Sequence, residues 1–403
     1  MKEAEKLRSL LLEEMDISQE PEDEKVLELI DQLVLESEGT RNLTVERKTQ
    51  IRQELFYSVR RLDVLQELLE DPEITEIMVN GHENIFIERN GKLMRWKKQF
   101  TSREKLEDVI QQIAGRCNRA VNEQKPIVDA RLENGDRVNV VLRPVALNGP
   151  ILTIRRFPEQ PITMERLIQS GCVSREAAAF LKELVEARYS ILIGGGTSTG
   201  KTTFLNALSS CIPSQERIIT IEDNAELQIQ GIENLVRLEA RECQMEGQEG
   251  ISIRDLIRTS LRMRPSRVII GEVRGGEAWD FLQALNTGHA GSLGTAHANS
   301  TVDMLSRLEA MVLMGIQIPL EAVRRQIVSG IEILVHLERE ADGMRHVEEI
   351  SELDGMEQGK IRIRLLYQWQ DGKGLRKCQE LKNRKKLERL KGRKQTTADM
   401  NRG

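Results

Sequence analysis

The chain has 403 residues, of which 39% are hydrophobic, 31% are charged and only 3% are aromatic, and its net charge is −5. This length favours two or three domains, and the composition is typical of a helix-rich protein with much solvated surface. The acidic balance argues against binding to nucleic acid or membrane by electrostatics alone, although 11 Lys/Arg are concentrated between residues 373 and 394.

The cysteines and the N-terminus indicate a reducing compartment. Five cysteines are scattered without CxxC or metal-ligand spacing, which predicts free thiols. They are Cys117, Cys172, Cys211, Cys243 and Cys378. The acidic N-terminus lacks the apolar core of a signal peptide, and no window is apolar enough for a membrane span. We therefore predict a cytoplasmic protein that reaches a membrane only through partners.

Residues 1–60 are predicted to form a small helical bundle. Leu, Ile and Val recur at helical spacing in EKLRSLLLEEM and EKVLELIDQLVLES. The pattern resumes in TVERKTQIRQELFYSVRRL after an Asn-Leu-Thr turn. Such a bundle is expected to serve docking or dimerisation and to carry no chemistry.

The spacing of apolar residues changes from helical to alternating in parts of residues 61–157, which are predicted to form an α+β domain. Short alternating strands are joined by hairpin-type turns in NGHEN and RNGK, and the helix SREKLEDVIQQIAGRCNRA separates them from further strands that end in LTIRRF. Residues 158–164 contain two prolines and are predicted to be a linker.

Strands and helices alternate in residues 165–375. Short apolar strands are predicted in YSILIGGG, ERIITIED, SRVIIGEV and GSLGTAHA, with helices such as AWDFLQALNTG between them. This alternation predicts an α/β domain with a mostly parallel sheet covered on both faces, followed by a group of antiparallel strands. The basic tail, residues 376–403, is predicted to be a solvated helix or a disordered segment.

The stretch GGGTSTGKTT (194–203) contains the full phosphate-loop pattern G-x4-G-K-T between a predicted strand and a predicted helix. Glycines allow backbone N–H groups to turn inward around an anion that the helix N-terminus also faces. Lys201 is predicted to bind the β/γ-phosphates, and the Thr202 hydroxyl to bind Mg²⁺. The predicted nucleotide-binding residues of the loop are Gly195, Gly196, Thr197, Ser198, Thr199, Gly200, Lys201, Thr202 and Thr203.

Acidic residues and histidines end other predicted strands. Glu272 ends RVIIGE, and Glu222 and Asp223 end IITIED, at the sheet edge where open α/β folds collect ligands. These acids suit water activation or Mg²⁺ binding. The alternatives are an exposed strand-terminal glutamate at 272 and capping of the next helix at 222–223. His289 and His297 flank one short strand and are expected to sense a γ-phosphate or to bond acidic residues.

Four ordered segments together resemble the type II/IV secretion system ATPase family. GGTSTGKTT, TIEDNAEL, RPSRVIIGEVRGGEA and TGHAGSLGTAHANS are similar to its Walker A, Asp box, Walker B and His box. LLEDPEITEIMVNG, ERNGKL, DARLENGDRVNVV and LTIRRF are similar to the branch that powers tight-adherence (Flp) pili. The resemblance runs from about residue 60 to 370, and the helical start matches that branch's extra bundle.

The resemblance implies a RecA-like P-loop NTPase domain, preceded by an α+β domain that clamps nucleotide. It also implies a homohexameric ring that hydrolyses ATP with Mg²⁺ and pulls on inner-membrane platform proteins, with no nucleic-acid partner. In this scheme Lys201 contacts the phosphates, Glu222 activates the attacking water and Glu272 holds Mg²⁺. His297, with His289, couples the γ-phosphate state to domain movement.

The resemblance also implies arginines that stabilise negative charge in the transition state. The candidates in the N-terminal half are Arg131, Arg137, Arg155 and Arg156, and Arg274 is a further candidate for coupling. Ser266 stands where the family usually has Asp, which weakens the support expected around the site.

Two other functions remain open on the sequence. A RecA-like nucleic-acid motor would use the same phosphate loop, but the acidic charge and few aromatics count against it. A nucleotide-dependent switch would bind without significant turnover.

Overall fold

The computed structural model describes residues 2–15, 21–37, 39–132, 134–157, 161–241 and 250–400. The chain divides into two compact units, Met1–Glu159 and Gln160–Gly403. This division falls at the proline-containing segment predicted as a linker. Four of the cysteines are free thiols, and Cys243 lies outside the described residues.

Three helices at the start of the N-terminal unit enclose a small aliphatic core. They are α1 (Lys2–Glu14), α2 (Asp23–Glu36) and α3 (Val45–Arg60). The helical spacing of apolar residues gives each helix one buried stripe, which includes Leu11, Ile30 and Leu55. Thr44 caps α3 by accepting a hydrogen bond from the Arg47 N–H.

The rest of the N-terminal unit is an antiparallel sheet with helices on one face. Its elements are α4 (Val64–Glu70), β1 (Ile74–Asn80), β2 (Ile85–Arg89), β3 (Lys92–Arg95), α5 (Arg103–Arg116), β4 (Ile127–Arg131), β5 (Arg137–Val141) and β6 (Ile151–Arg155). The strand order is β3-β2-β1-β6-β5-β4. Val138 and Val140 of β5 are buried in a core shared with α5, whereas Arg137 and Asn139 lie on the opposite face.

The C-terminal unit is built on a nine-stranded sheet. Its first half contains α6 (Met164–Gln169), α7 (Arg175–Glu186), β7 (Ile191–Gly195), α8 (Lys201–Ser209), β8 (Ile218–Glu222), β9 (Leu235–Glu239), α9 (Ile253–Ser260), β10 (Arg267–Val273) and α10 (Glu277–Asn286). The second half contains β11 (Leu293–His297), α11 (Thr301–Gly315), α12 (Leu320–Gly330), β12 (Ile333–Arg339), β13 (Arg345–Glu357), β14 (Lys360–Gln370), β15 (Gly374–Lys377) and α13 (Lys385–Met400).

The sheet order is β15-β14-β13-β12-β7-β11-β10-β8-β9. The strands from β12 to β9 in this order are parallel, and β13, β14 and β15 extend the sheet in antiparallel fashion. Ile191 and Ile193 of β7 enter one apolar core, and Leu192 enters the other. The sheet is therefore covered on both faces, and its parallel strands end at one edge.

The end of the chain differs from the prediction. Strand β15 ends at Lys377, so the domain boundary predicted at 375 falls inside a strand. The segment that follows packs against the unit: Leu381 is buried, and the Lys386 ammonium lies 2.5 Å from Glu332 Oε2. The tail contains the predicted helix, α13, and most of its described residues up to 392 are exposed, but Leu381 is buried and Leu387 and Leu390 pack against the apolar core. Among the described residues no helix is long and apolar enough to cross a membrane.

A buried ion pair fixes the amino end of β10. The Arg267 side chain is fully buried, and its guanidinium contacts both carboxylate oxygens of Glu216 at 2.7 and 2.8 Å. It also donates to the Val185 and Gly291 carbonyl oxygens. Breaking such a pair leaves an uncompensated buried charge.

Replacing Glu216 with Gln is expected to lower the free energy of unfolding by about 3 kcal/mol, because Arg267 stays charged and buried. Denaturant unfolding monitored by circular dichroism measures this change. Glu321→Gln removes the exposed partner of Arg325 and is the matched control, with an expected loss of under about 1 kcal/mol. Equal losses in the two variants would contradict the role given to the buried pair.

Candidate nucleotide-binding site

The glycine-rich stretch forms a tight loop between β7 and α8. Gly200 precedes α8 with φ 92°, in the left-handed region that favours glycine. Gly195 has φ 156°, and a Cβ there would lie 2.7 Å from the Leu337 carbonyl oxygen. A side chain at Gly195 would therefore collide with the neighbouring strand β12, so the close approach requires glycine.

The remaining loop residues occupy distinct positions. Gly196 is partly buried, and its carbonyl accepts a hydrogen bond from the buried Thr199 hydroxyl at 3.0 Å. Thr197 and Ser198 are exposed at the tip of the loop. Thr202 and Thr203 are half-buried on the first turn of α8, where helix N–H groups lack intrahelical acceptors.

Lys201 lies over the loop with its side chain buried. Its ammonium donates to the Gly196 carbonyl oxygen at 2.7 Å and lies 3.3 Å from His297 Nδ1. The cation is thus held at the carboxyl edge of the sheet, beside the end of β11. An anion in the loop would meet both this charge and the N-terminus of α8.

A chain of polar contacts runs from Lys201 across three strand ends. His297 Nε2 lies 2.7 Å from Glu272 Oε1, and the Arg274 guanidinium lies 2.6 Å from Glu272 Oε2. Arg274 also lies 3.3 Å from Asp223 Oδ2. This contact chain joins the phosphate loop, β11, β10 and the end of β8, which are far apart in sequence.

The surroundings of His297 favour its neutral form. Burial lowers the pKa of its imidazole, and the nearby Lys201 charge lowers it further, against the opposing effect of Glu272. When Nδ1 of a neutral ring accepts from the Lys201 ammonium, the proton is on Nε2, which lies 2.7 Å from Glu272 Oε1. The histidine therefore couples the cation of the phosphate loop to the carboxylate on β10.

Glu222 differs from Glu272 in its surroundings. Its carboxyl is buried, and Oε2 accepts backbone N–H groups from Glu226 at 2.7 Å and Leu227 at 2.9 Å. Oε1 is buried and has no hydrogen-bond partner among the residues that the structure describes. Gly271 provides the space, since a Cβ there would lie 2.9 Å from Glu222 Cγ. Burial raises the pKa of Glu222 to about 7, although the two N–H groups oppose the shift.

These surroundings change the roles expected of the two glutamates. The prediction gave water activation to Glu222 and the metal to Glu272. The Glu222 carboxyl holds the turn that follows β8, while Glu272 is connected to Lys201 through His297. Glu272 is therefore the glutamate that lies next to the histidine beside the phosphate loop, and Glu222 is the one bonded to the backbone after β8. Gly271, the residue before Glu272, is the residue that makes room for Glu222.

The raised pKa of Glu222 predicts a pH-dependent stability. A carboxyl with a raised folded-state pKa stabilises the fold below its ordinary pKa of 4.5, and this contribution is lost as the pH rises towards 7. Relative to Glu222→Gln, the wild type is therefore expected to lose about 1–3 kcal/mol between pH 4.5 and 7.5. Denaturant unfolding of both proteins at several pH values measures the difference, and a difference independent of pH would contradict this ionisation.

The structure does not bring His289 to the contact chain. His289 precedes β11, and His297 ends it, so the two lie at opposite edges of the sheet. His289 Nδ1 lies 3.3 Å from the Ala284 carbonyl oxygen. Within one chain, the expectation that His289 acts beside His297 is wrong. The two histidines lie at opposite ends of strand β11, so the length of the strand separates them.

Ser266 also lies away from the site. It precedes β10 at the amino edge, where its hydroxyl accepts the Arg217 N–H at 3.1 Å. The substitution of Ser for the family's usual Asp therefore does not alter contacts of Lys201 or Glu272.

Three of the candidate arginines form a row on the N-terminal unit. Arg137 on β5 is paired in register with Arg131 on β4 and with Arg155 on β6. Directly opposed residues project from the same face, where like charges repel one another. This arginine row lies on the face opposite the core, as the buried Val138 and Ile154 show.

Arg156 projects the other way and has a structural role. Its side chain is largely buried, with Nε 3.4 Å from Asp136 Oδ2 and Nη1 donating to the Asp71 carbonyl oxygen at 2.9 Å. These contacts connect the end of β6 to the end of α4. Because the Arg156 guanidinium is engaged in them, we do not expect it to bind phosphate.

Sequence reasoning missed Arg345. This residue begins β13, and its Nε donates to the Ser198 carbonyl oxygen in the phosphate loop at 2.9 Å. No local pattern marks it, because 147 positions separate the two residues.

Comparison with known proteins gives the chain a family. The family described as "Type II/IV secretion system protein" matches residues 60–388. A putative conjugal transfer protein of Mycobacterium tuberculosis is 33% identical over 318 residues, which cover 77% of this chain and 89% of that protein. The type IV secretion system protein VirB11 of Brucella suis is 32% identical over 318 residues, covering 72% of this chain and 88% of the relative.

A solved structure supports the same fold. The ATPase DotB of Legionella pneumophila aligns with a TM-score of 0.54 at 20% identity, over 72% of this chain and 80% of that one. The parallel sheet, the phosphate loop at its carboxyl edge and the N-terminal sheet unit agree with a RecA-like P-loop fold. The chain therefore belongs to the type II/IV secretion system protein family and is a P-loop ATP hydrolase of that family.

Proposed function

We propose that this protein is the motor ATPase of a tight-adherence (Flp) pilus machine, working as a homohexamer on the cytoplasmic face of the inner membrane. The observation that carries the motor function is the contact chain from Lys201 to Asp223, which joins all four motif segments at one sheet edge. The N-terminal segments that resemble the tight-adherence branch support the choice of pilus. The platform proteins of that machine are the partners we expect.

The phosphate loop would bind ATP through backbone N–H groups and Lys201. Loop N–H groups and the α8 N-terminus favour the β/γ-phosphates, and Lys201 adds a full charge next to them.

The donor set near the loop fits Mg²⁺. Magnesium prefers oxygen ligands, and the half-buried Thr202 hydroxyl lies on the first helical turn after Lys201. The Asp223 and Glu272 carboxylates lie at this edge of the sheet, and both contact the Arg274 guanidinium. Thr202 would hold the metal, with Asp223 or Glu272 beside it, and bound Mg²⁺ would supply charge neutralisation to the phosphates.

Glu272 would orient and deprotonate the attacking water. Its Oε2 accepts a hydrogen bond from Arg274 at 2.6 Å, and its Oε1 lies 2.7 Å from His297 Nε2, so both oxygens have a polar neighbour before substrate binds. Because His297 Nδ1 faces the Lys201 ammonium, a movement of that ammonium would shift His297 and so change its contact with Glu272. We propose that this connection reports the phosphate state to the rest of the unit.

The arginine row would supply the remaining positive charge. The three guanidinium groups lie on one face of the sheet and concentrate positive charge there. We propose that Arg131, Arg137 or Arg155 binds nucleotide phosphate during the cycle, and that Arg156 does not. Single substitutions to Gln, compared by kcat, identify which of the three acts.

Steady-state Mg-ATPase activity, measured with oligomer size in the same samples, tests the proposed motor. We expect turnover in particles of about six subunits. Binding without turnover in such particles would favour a nucleotide-dependent switch. The pilus assignment is tested in the source organism by deleting the gene and restoring either the wild type or Lys201→Ala. Surface pili that persist in the deletion strain would contradict the assignment.

A further inference from the structure

The outer side of the phosphate loop is held by an arginine from β13. Arg345 Nε donates to the Ser198 carbonyl oxygen at 2.9 Å. The aliphatic part of the same side chain lies next to Gly200 at the end of the loop. Arg345 Cδ would be 3.6 Å from a Cβ atom placed on Gly200. One side chain thus spans the outside of the loop from Ser198 to Gly200.

Ser198 needs such a contact. Its φ is 60°, in the left-handed region that disfavours any residue with a side chain, and it lies exposed at the loop tip. A non-glycine residue in this conformation is strained. A charge-assisted hydrogen bond from a guanidinium to its carbonyl is strong enough to offset that strain.

The arginine is itself well anchored. It is the first residue of β13, paired in register with Arg339 of β12. Two residues later, the Val347 N–H donates to the Cys172 carbonyl oxygen at 2.8 Å. Leu337 of β12 is the register partner of Gly195, where the loop begins. The strand pair β12–β13 therefore flanks the loop and fixes the origin of the Arg345 side chain.

We propose that Arg345 is a positioning residue for nucleotide binding, which sets the direction of a phosphate-binding N–H. In a trans peptide the C=O and the following N–H point to opposite sides. Holding the Ser198 carbonyl towards the guanidinium therefore directs the Thr199 N–H away from it, which we take to be the phosphate side of the loop. This inference rests on the nucleotide site proposed above and adds a residue that lies outside the four motifs.

Arg345→Ala is expected to raise the Kd for a fluorescent methylanthraniloyl derivative of ADP, with Mg²⁺ present, about tenfold, and to raise KM for ATP by a similar factor. A tenfold change corresponds to about 1.4 kcal/mol. We expect kcat within twofold of the wild type, because the contacts among Lys201, His297 and Glu272 do not include Arg345. Arg345→Lys keeps a charged donor of sufficient length and should restore Kd to within threefold.

Two controls separate this inference from the proposed site and from simple unfolding. Arg376→Ala removes an exposed arginine of β15 and should change neither Kd nor kcat. Lys201→Ala tests the site itself: if it binds nucleotide like the wild type, the proposed site is wrong. If Lys201→Ala loses binding but Arg345→Ala binds within twofold of the wild type, only the role of Arg345 is wrong. A fall in melting temperature with no rescue by Arg345→Lys would also overturn that role and leave a structural one.

Discussion

Replacing Lys201 with Ala is expected to abolish measurable ATP turnover, with kcat/KM lowered at least about 1,000-fold, which corresponds to about 4 kcal/mol. Two losses combine in this variant. The phosphates lose a full charge held in a buried position, and His297 loses the ammonium that its Nδ1 faces at 3.3 Å. The contact chain that ends at Asp223 would then start from a histidine with no cation beside it.

A phosphate-release assay and a nucleotide titration measure the two losses separately. Lys182→Ala, on the exposed side of α7, removes the same charge from the unit without touching the loop and is the matched control. The buried ammonium donates to Gly196, so its loss also loosens the loop, and the melting temperature should be compared in both variants. Turnover above a tenth of the wild type in Lys201→Ala would contradict the assignment of the loop as the catalytic nucleotide site.

Replacing Glu272 with Gln is expected to lower kcat by about 100- to 10,000-fold, the range typical of a lost general base. Nucleotide affinity should stay within about threefold, because the phosphate loop and Lys201 are unchanged. The amide keeps the shape of the carboxylate but only one acceptor oxygen, so one of His297 and Arg274 keeps an oxygen neighbour and the other faces the amide NH2. What disappears is the negative charge that takes up the proton of water.

Glu222→Gln is the decisive comparison for this assignment. The Glu222 carboxyl is buried against the backbone of residues 226 and 227, so we expect its amide to cost less than tenfold in kcat. If Glu222→Gln loses as much turnover as Glu272→Gln while binding nucleotide normally, the role of water activation returns to Glu222. Rapid-quench measurement of a single turnover separates a chemical defect from slow product release.

Much of this architecture follows from local sequence. The phosphate-loop spacing, with a strand before and a helix after it, predicted the loop and Lys201 because glycine conformation and helix N-termini are local properties. Alternating apolar strands and helices predicted a parallel sheet covered on both faces, and period-two segments predicted the N-terminal sheet. Helical periodicity predicted the three helices that begin the chain.

Only the tertiary structure decided which polar residues meet. Glu222 and Glu272 both end apolar strands in sequence. In the structure, Glu222 is buried, which raises its pKa, and it accepts two backbone N–H groups, whereas Glu272 lies beside His297, which contacts Lys201. Strand direction moved His289 to the far edge of the sheet, and strand pairing brought Arg345 to Ser198. The hydrophobic periodicity and the residue types can be read from the sequence. The burial of each polar group and the order of distant strands cannot, because no local pattern encodes them, and they determine which polar side chains meet.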